Sequence, residues 1–361
     1  MRAAVLSESP GKLEIDDVQI DNPGPREVLI RTSAAGLCHS DLHFMEGKFP
    51  YPLPVVLGHE SAGVVEKVGD QVSYVQPGDH VITCLSVYCG NCEYCLTGHL
   101  SLCQNKGEVQ RPFDGAQRLS RAGEPMWQFL DLSSFAEAML VHEHAIVKIR
   151  PDMPLDRAAL IGCGVTTGVG AVFNTAKVEP GTTVAVIGCG GIGLNCIQGA
   201  AIAGAGRVIA VDRIHEKLQL AKTFGATDLI DASDGTAVEQ VQELTGGGVH
   251  YAFEAIGLKA TAQDAFAMLR RGGTATVIGM IPIGETVEIP GFELLYEKRL
   301  QGSNMGSNRF RVDMPRYIDL YMDGRLKLDE LVSQRIALTD VNEGFEAMKA
   351  GSVARSVIVF E

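Results

Sequence analysis

Positive charge is in short supply in this chain. Its 361 residues carry 31 Lys and Arg against 44 Asp and Glu, a formal net charge of −13 at pH 7. Such a surface repels phosphate backbones and anionic headgroups, which excludes nucleic acid and an anionic membrane as principal partners; small anions held by local cations stay open. Long apolar runs are absent as well, since no stretch approaches the ~20 apolar residues that cross a bilayer. The opening MRAAVLSESPGKLEIDDVQI lacks the apolar centre and the small-residue cleavage site of a secretory signal, so the expected address is the cytoplasm. Repeats and low-complexity segments are missing too. What remains is an ordinary globular chain, long enough for two domains.

Cysteine is present, and unevenly. Four of the nine, Cys89, Cys92, Cys95 and Cys103, fall within fifteen residues in VYCGNCEYCLTGHLSLC. A reducing compartment disfavours a disulfide framework. An iron–sulfur run typically closes C-x3-C-P, whereas here the last gap is seven residues and Gln104 follows. Four thiolates suit one tetrahedral structural zinc with no open position. A closed site does no chemistry, so a catalytic metal needs other donors. GLCHSDLH, LGHESAG and IGCGVTTG offer Cys38, His59 and Cys163, a two-thiolate, one-imidazole set with a fourth position free. Spacing alone does not separate these from packing cysteines and a turn histidine.

The first ~150 residues read as short strands between Gly and Pro turns (EVLIRTSAAG, SAGVVEKVG, DHVITCL, HAIVKI), with a helical period only after Ser40. From about Thr182, apolar strands (TVAVIG, RVIAVD, YAFEAIG, TATVIG) alternate with helical stretches (GLNCIQGAAIAGA, HEKLQLAKTFG, ATAQDAFAMLRRG). That alternation predicts an α/β fold with a parallel sheet covered by helices. After about Gly302 mixed structure returns and ends in a strand, RSVIVF. VAVIGCGGIGL places Gly188, Gly190 and Gly193 at G-x-G-x-x-G spacing, with Gly191 and Ile192 between, a strand before and a helix after. The backbone of such a turn holds a pyrophosphate at the helix N-terminus. Asp212 ends the next strand, 24 residues past Gly188. A carboxylate there reaches an adenosine ribose and repels a 2′-phosphate, so NAD is the expected cofactor, with Arg213 tempering the preference.

GLCHSDLH, GHE, the four-cysteine lobe, GCGVTTG, GCGGIG and VDRIHEK stand in the order and spacing of the zinc-dependent medium-chain alcohol dehydrogenases, which the chain resembles along essentially its whole length. The resemblance implies a GroES-like, mostly-β catalytic domain over residues 1–164, with a structural zinc lobe at about 84–104. It implies a Rossmann doubly wound parallel-sheet domain for NAD over 165–302, and a return segment, 303–361, that completes the catalytic domain. Two zinc ions per chain follow: a catalytic one on Cys38, His59 and Cys163, and a structural one on Cys89, Cys92, Cys95 and Cys103. Glu60 would stand behind the catalytic metal, and Asp41 would orient His59. Ser40 would take the substrate proton and His43 would deliver it to solvent. Asp212 and Lys217 are implied at the ribose, His39 and Arg355 at the pyrophosphate, and Thr167 facing the nicotinamide. Cys84, Cys189 and Cys196 match no ligand position and read as packing.

The implied reaction is hydride transfer between a small alcohol and NAD, giving an aldehyde or ketone. Two alternatives stand beside it. One is a thiol-adduct-dependent formaldehyde dehydrogenase; such relatives carry Arg four residues after the last lobe cysteine, where this chain has Gly107, with Lys106 the nearby cation. The other is a non-catalytic NAD-binding redox sensor, which would have lost a ligand or relay residue. Leu85 and Leu130 are implied as apolar pocket walls, which favours medium-chain or aromatic primary alcohols. The length between Cys103 and Phe135 matches dimeric members, so a homodimer is expected, with a homotetramer as the alternative.

Overall fold

The strand Glu27–Gly36 is buried at nearly every position because it is paired along both edges. Ser61–Val68 lies antiparallel on one side, with Ala35 opposite Ser61. On the other side Ala138–His142 covers the first half, and Arg355–Val359, near the C-terminus, covers the last residues. These strands belong to a sheet in the order Ile146–Lys148, His80–Thr83, Ser61–Val68, Glu27–Gly36, Arg355–Val359, Val332–Ile336. A second sheet runs Glu14–Asp17, Arg2–Leu6, Val55–Val56, Glu124–Gln128, Leu119–Arg121, Gln19–Ile20. The computed structural model describes residues 1–112, 115–351 and 353–361. It divides into two units: Met1–Cys163 with Arg309–Gly324 and Leu328–Glu361, and Gly164–Asn308 with Arg325–Lys327. Both sheets above lie in the first unit.

Two junctions of the first unit place the site. Immediately after the central strand, Cys38 caps the short helix His39–Met45, its backbone N–H donating to the Asp41 carboxylate at 3.3 Å. Farther on, the helix Leu155–Leu160 widens into a π-turn, Ile161–Val165, that carries Cys163; such wider turns recur where a helix must aim a functional side chain. The helical run Leu155–Ala176 departs from the sequence expectation. Among the described residues it is long and apolar enough, by length and composition, to cross a membrane, yet 83% of its apolar window is buried inside the molecule. The apolar residues face protein, as in a core helix.

The second unit holds a parallel sheet in the order Asp228–Asp231, Arg207–Asp212, Thr183–Ile187, Val249–Glu254, Leu269–Val277, Arg299–Gly302. In chain order this is 3-2-1-4-5-6, the doubly wound arrangement that opens a crevice at the C-terminal ends of its first and fourth strands. Helices Gly191–Ile202, His215–Thr223, Ala237–Thr245 and Lys259–Ala267 make the crossovers. One boundary differs from the sequence reading. ATAQDAFAMLRRG was expected to be helical throughout, but the helix stops at Ala267 and Leu269 is already in a strand. Val249 N–H donates to Met268 O at 2.9 Å, and Leu269 pairs with Val249; this pairing takes over before the helical pattern ends.

A buried ion cluster anchors the start of the central strand. Glu27, 6% exposed, accepts from Arg118 Nε at 2.8 Å, from Arg111 Nη2 at 2.6 Å and from Gly24 N at 2.8 Å. Burial alone would raise the Glu27 carboxyl, but the two guanidinium groups outweigh it and hold it down at about 2. Stability from a depressed acid is complete above the unfolded value and is lost as pH falls toward the folded one. The advantage of the wild type over Glu27→Gln should therefore be full at pH 6 and smaller by about 2–3 kcal/mol at pH 2.5. Urea denaturation of both proteins at the two pH values measures the difference; an equal advantage at both would exclude this cluster as an acid-sensitive anchor.

Candidate active site

Cys38, His59 and Cys163 come from three separate stretches, and their ligand atoms converge within 4.8 Å of one another. All three side chains are buried. His59 Nδ1 lies 3.0 Å from Asp41 Oδ1, and the same carboxylate accepts from Gly58 N at 3.2 Å and Cys38 N at 3.3 Å. Nδ1 therefore carries the proton, and Nε2 presents a lone pair. That Nε2 is buried with no hydrogen-bond partner, a costly condition unless a cation takes the lone pair. The same pocket draws positive charge. Cys38 sits well below the ordinary thiol value because the Cys163 thiol donates to it, and Cys163 is pushed up by that same contact and by burial. Burial works against a charged His59, yet Asp41 and Cys38 more than offset it and raise the imidazole. Two thiolates and an imidazole lone pair fit Zn²⁺ with one position left over.

Behind this triangle Glu60, fully buried, is ion-paired with Arg355. Burial raises the Glu60 carboxyl to about 7 in spite of the guanidinium. The implied place of Arg355 was the pyrophosphate; here its Nη2 is on Glu60. Ser40 lies close by, with 3.7 Å between Cys38 Sγ and Ser40 Oγ. His43, at the end of the same helix, is half-buried with Nδ1 unpartnered, and burial together with Lys48 lowers its basicity. His39 is exposed at the start of that helix. Thr167 Oγ1 lies 3.4 Å from Met305 Sδ.

The four-cysteine lobe has a different geometry and a different chemistry. Sulfur separations of 3.8 Å (Cys89–Cys95), 3.5 Å (Cys92–Cys95) and 4.0 Å (Cys92–Cys103) bracket the ~3.8 Å edge of a tetrahedron with 2.3 Å zinc–sulfur arms. A disulfide needs about 2.05 Å; the nine cysteines are all free thiols. Backbone N–H groups of Cys89, Asn91 and Cys92 point at Cys103 and Cys89 sulfurs from 3.3, 3.5 and 3.4 Å, which stabilises thiolates. All four positions are taken by protein, so this lobe holds metal without exposing it to substrate. Cys84 and Cys196 are buried and belong to neither cluster, as packing residues would be.

In the second unit, the turn after Thr183–Ile187 is shaped by glycine. Gly188 has φ +94, and a Cβ on Gly193 would come within 1.7 Å of Gly188 O. A Cβ on Gly190 would meet nothing within 4 Å, and no side chain caps the helix Gly191–Ile202 that begins there. An uncapped helix start facing open space is what a pyrophosphate requires. Asp212 ends the neighbouring strand; its Oδ2 accepts from Cys189 N at 2.7 Å and its Oδ1 from Ile214 N at 3.0 Å. The carboxylate is thus fixed against the turn, and Lys217 stands in the first turns of the following helix, His215–Thr223. These residues fit a dinucleotide whose ribose meets an acid.

Comparison with known proteins gives the same assignment. Residues 24–152 match the family model of the alcohol dehydrogenase GroES-like domain, and residues 191–322 that of the zinc-binding dehydrogenases. The chain is 38% identical over 368 residues to the alcohol dehydrogenase class-3 of Oryza sativa subsp. japonica, covering 99% of this chain and 96% of that protein. It is 38% identical over 373 residues to the S-(hydroxymethyl)glutathione dehydrogenase of Paracoccus denitrificans, covering 99% of each. The chain belongs to the zinc-dependent medium-chain alcohol dehydrogenases. Among solved structures of this family, benzyl alcohol dehydrogenase from Acinetobacter calcoaceticus superposes with a TM-score of 0.95 at 32% identity, covering 100% of this chain and 99% of that one. As an alcohol dehydrogenase of this family the protein is an NAD-dependent oxidoreductase with two zinc sites, a GroES-like domain and a Rossmann-like domain.

Two features of this alcohol dehydrogenase carry no signal in sequence. The Glu60–Arg355 pair joins residues 295 apart, beyond the reach of any local pattern. The ring of Phe129, 5.9 Å from His59, comes from a segment without a motif; only its aromatic character hinted at a place in the core.

Two measurements test these assignments. Elemental analysis should find two zinc ions per wild-type chain, one in Cys103→Ala with much reduced stability, and one in Cys163→Ala with turnover abolished and NAD binding kept; iron, or a single zinc in the wild type, would overturn the reading. For the cofactor, kcat/KM should favour NAD over NADP by roughly 100-fold or more, because a 2′-phosphate beside Asp212 is a like-charge contact worth several kcal/mol. Asp212→Asn keeps the shape and acceptor oxygen but removes the charge, and should narrow the ratio. Equal use of both cofactors by the wild type would shift control to Arg213.

Proposed function

We propose that this enzyme interconverts aromatic or medium-chain primary alcohols and their aldehydes with NAD, using the Cys38, His59 and Cys163 centre. The carrying observation is the buried Cys₂His triangle with its unpartnered imidazole nitrogen, set against the apolar ring of Phe129. When bound there, zinc supplies a Lewis acid that makes an alcohol hydroxyl more acidic. The chain's own residues do the rest. Asp41 holds the His59 tautomer, and burial of the centre keeps bulk water out. Ser40 accepts the hydroxyl proton and passes it to His43, whose lowered basicity favours handing the proton on to solvent. Leu85 and Leu130 form apolar walls. On the cofactor side we assign the pyrophosphate to the turn Gly188–Gly193, the ribose to Asp212 and Lys217, and the nicotinamide to Thr167. We assign the catalytic domain to 1–164 and 303–361 and the cofactor domain to 165–302.

A second reading, oxidation of a formaldehyde–thiol adduct, has support from relatives named S-(hydroxymethyl)glutathione dehydrogenase, such as the 38% identical protein of Paracoccus denitrificans. An anionic adduct needs a cation at its carboxylates. Gly107 supplies none, and the Lys106 ammonium lies 3.5 Å from Leu85 O. The aromatic-alcohol reading is therefore preferred. The exposed apolar side chains Ile283 (80%), Leu295 (74%) and Phe292 (68%) support a homodimer, and we infer a cytoplasmic address. Steady-state assays with NAD decide the substrate. Benzyl alcohol and 1-hexanol should produce NADH, and formaldehyde should be oxidised no faster with glutathione than without. Strong glutathione-dependent formaldehyde oxidation with little benzyl alcohol activity would establish the second reading instead.

A further inference from the structure

A run of left-handed backbone borders the metal centre. Leu130 (φ 50), Asp131 (φ 64) and Ser133 (φ 57) all occupy this region, and none is glycine. Side-chain-bearing residues, bulky ones especially, are poorly accommodated there. Such conformations persist where neighbours over-determine them, and they gather at functional sites. The neighbours here can be named. Tyr51 donates its hydroxyl to Gln128 O at 3.0 Å and accepts from Leu130 N at 3.1 Å, so one oxygen joins the residues on either side of Phe129. From the other end, Ser133 Oγ accepts from Phe129 N at 2.8 Å and donates to Val56 O at 2.7 Å.

The turn has a direct bearing on the centre. Phe129 is fully buried, and its ring lies 5.9 Å from that of His59 and 5.0 Å from that of Tyr51. Ser134 N donates to Gly58 O at 3.0 Å, next to His59 in the chain. Tyr51 therefore grips the turn twice, by its ring on Phe129 and by its hydroxyl on the backbone. Burial raises the phenol above its ordinary value, so the hydroxyl keeps the proton it donates.

We propose that Tyr51 is a positioning residue for substrate selection: its hydroxyl bridge holds the left-handed turn so that Phe129 stays against the His59 ring and Leu130, next in the chain, keeps its place as an apolar wall. The proposal rests on the reading that alcohol is oxidised at that centre. Removing the hydroxyl alone keeps the ring contacts, but it frees Gln128 O and Leu130 N and leaves the turn held only from the Ser133 end. A fixed wall discriminates between alcohols of different size, and a loosened wall accommodates both. Shape discrimination of this kind is worth from ten-fold upward for small changes in substrate bulk.

Kinetics with benzyl alcohol and 2-naphthylmethanol test it in four proteins: wild type, Tyr51→Phe, Leu130→Gly and the double variant, each with zinc content measured. Tyr51→Phe should keep two zinc ions and change the ratio of kcat/KM for the two alcohols by about tenfold, through KM rather than kcat. Glycine adopts φ 50 without support, so adding Tyr51→Phe to Leu130→Gly should change the ratio by less than about twofold. An unchanged ratio in Tyr51→Phe, or an equal loss for both alcohols with loss of zinc, overturns the proposal while the catalytic reading stands. Equal effects of Tyr51→Phe in both backgrounds also overturn it, because the hydroxyl would then act independently of the turn. No turnover of any alcohol by zinc-loaded wild type overturns the catalytic reading and this inference with it.

Discussion

One buried carboxylate organises the catalytic half of the molecule. Asp41 is fully buried and takes hydrogen bonds from Cys38 N, Gly58 N and His59 Nδ1. Cys38 and Asp41 follow the strand Glu27–Gly36, while Gly58 and His59 precede the strand Ser61–Val68 that pairs with it. The same oxygens therefore lock two neighbouring strand ends together and choose the imidazole tautomer. A buried anion of this kind is expensive unless it is fully engaged. Here every contact it makes also aims a prospective zinc ligand, so the cost of burying it and the precision of the site are one constraint.

The charges around it explain why the donor set demands a divalent cation. With both thiols ionised, Asp41 and the two sulfurs would put three negative charges in a buried space. Arg355 is ion-paired with Glu60, and its guanidinium also draws both sulfurs down in part. A proton shared between Cys38 and Cys163 leaves one thiol far below and the other far above its ordinary value. The four-cysteine lobe meets the same problem with backbone N–H donors and sulfur spacing set for a tetrahedron. There the protein closes the shell; at the catalytic centre it leaves a side open, with Phe129 as its apolar neighbour.

The cofactor half follows a different logic, in which absence of side chain is the working feature. Gly193 cannot carry a Cβ because Gly188 O occupies its place, whereas Gly190 could but faces open space. The first is a packing requirement, and the second keeps room for a ligand at an uncapped helix start. Asp212 is held by two backbone N–H groups of its own and the adjoining loop, so its charge stays where a ribose would meet it.

Sequence alone determined the features that are local or that repeat a chemical spacing. The cysteine run, the glycine turn with its acid one strand later, and the α/β alternation were all legible, because each depends on residues close in the chain or on the short period of a strand. The end of the helix at Ala267 was not, because pairing of Leu269 with Val249 overrode a pattern that still read as helical. Tertiary structure decided the rest. The ion pair of Glu60 with Arg355 joins residues 295 apart, and the turn at Leu130 takes a conformation that leucine resists by itself. Nothing in local sequence predicts an unfavourable backbone angle, since its cause lies in the Tyr51 hydroxyl 79 residues away. Local propensity can name the residues able to bind metal and nucleotide; only packing, which makes distant groups compensate one another's burial, decides which of them meet.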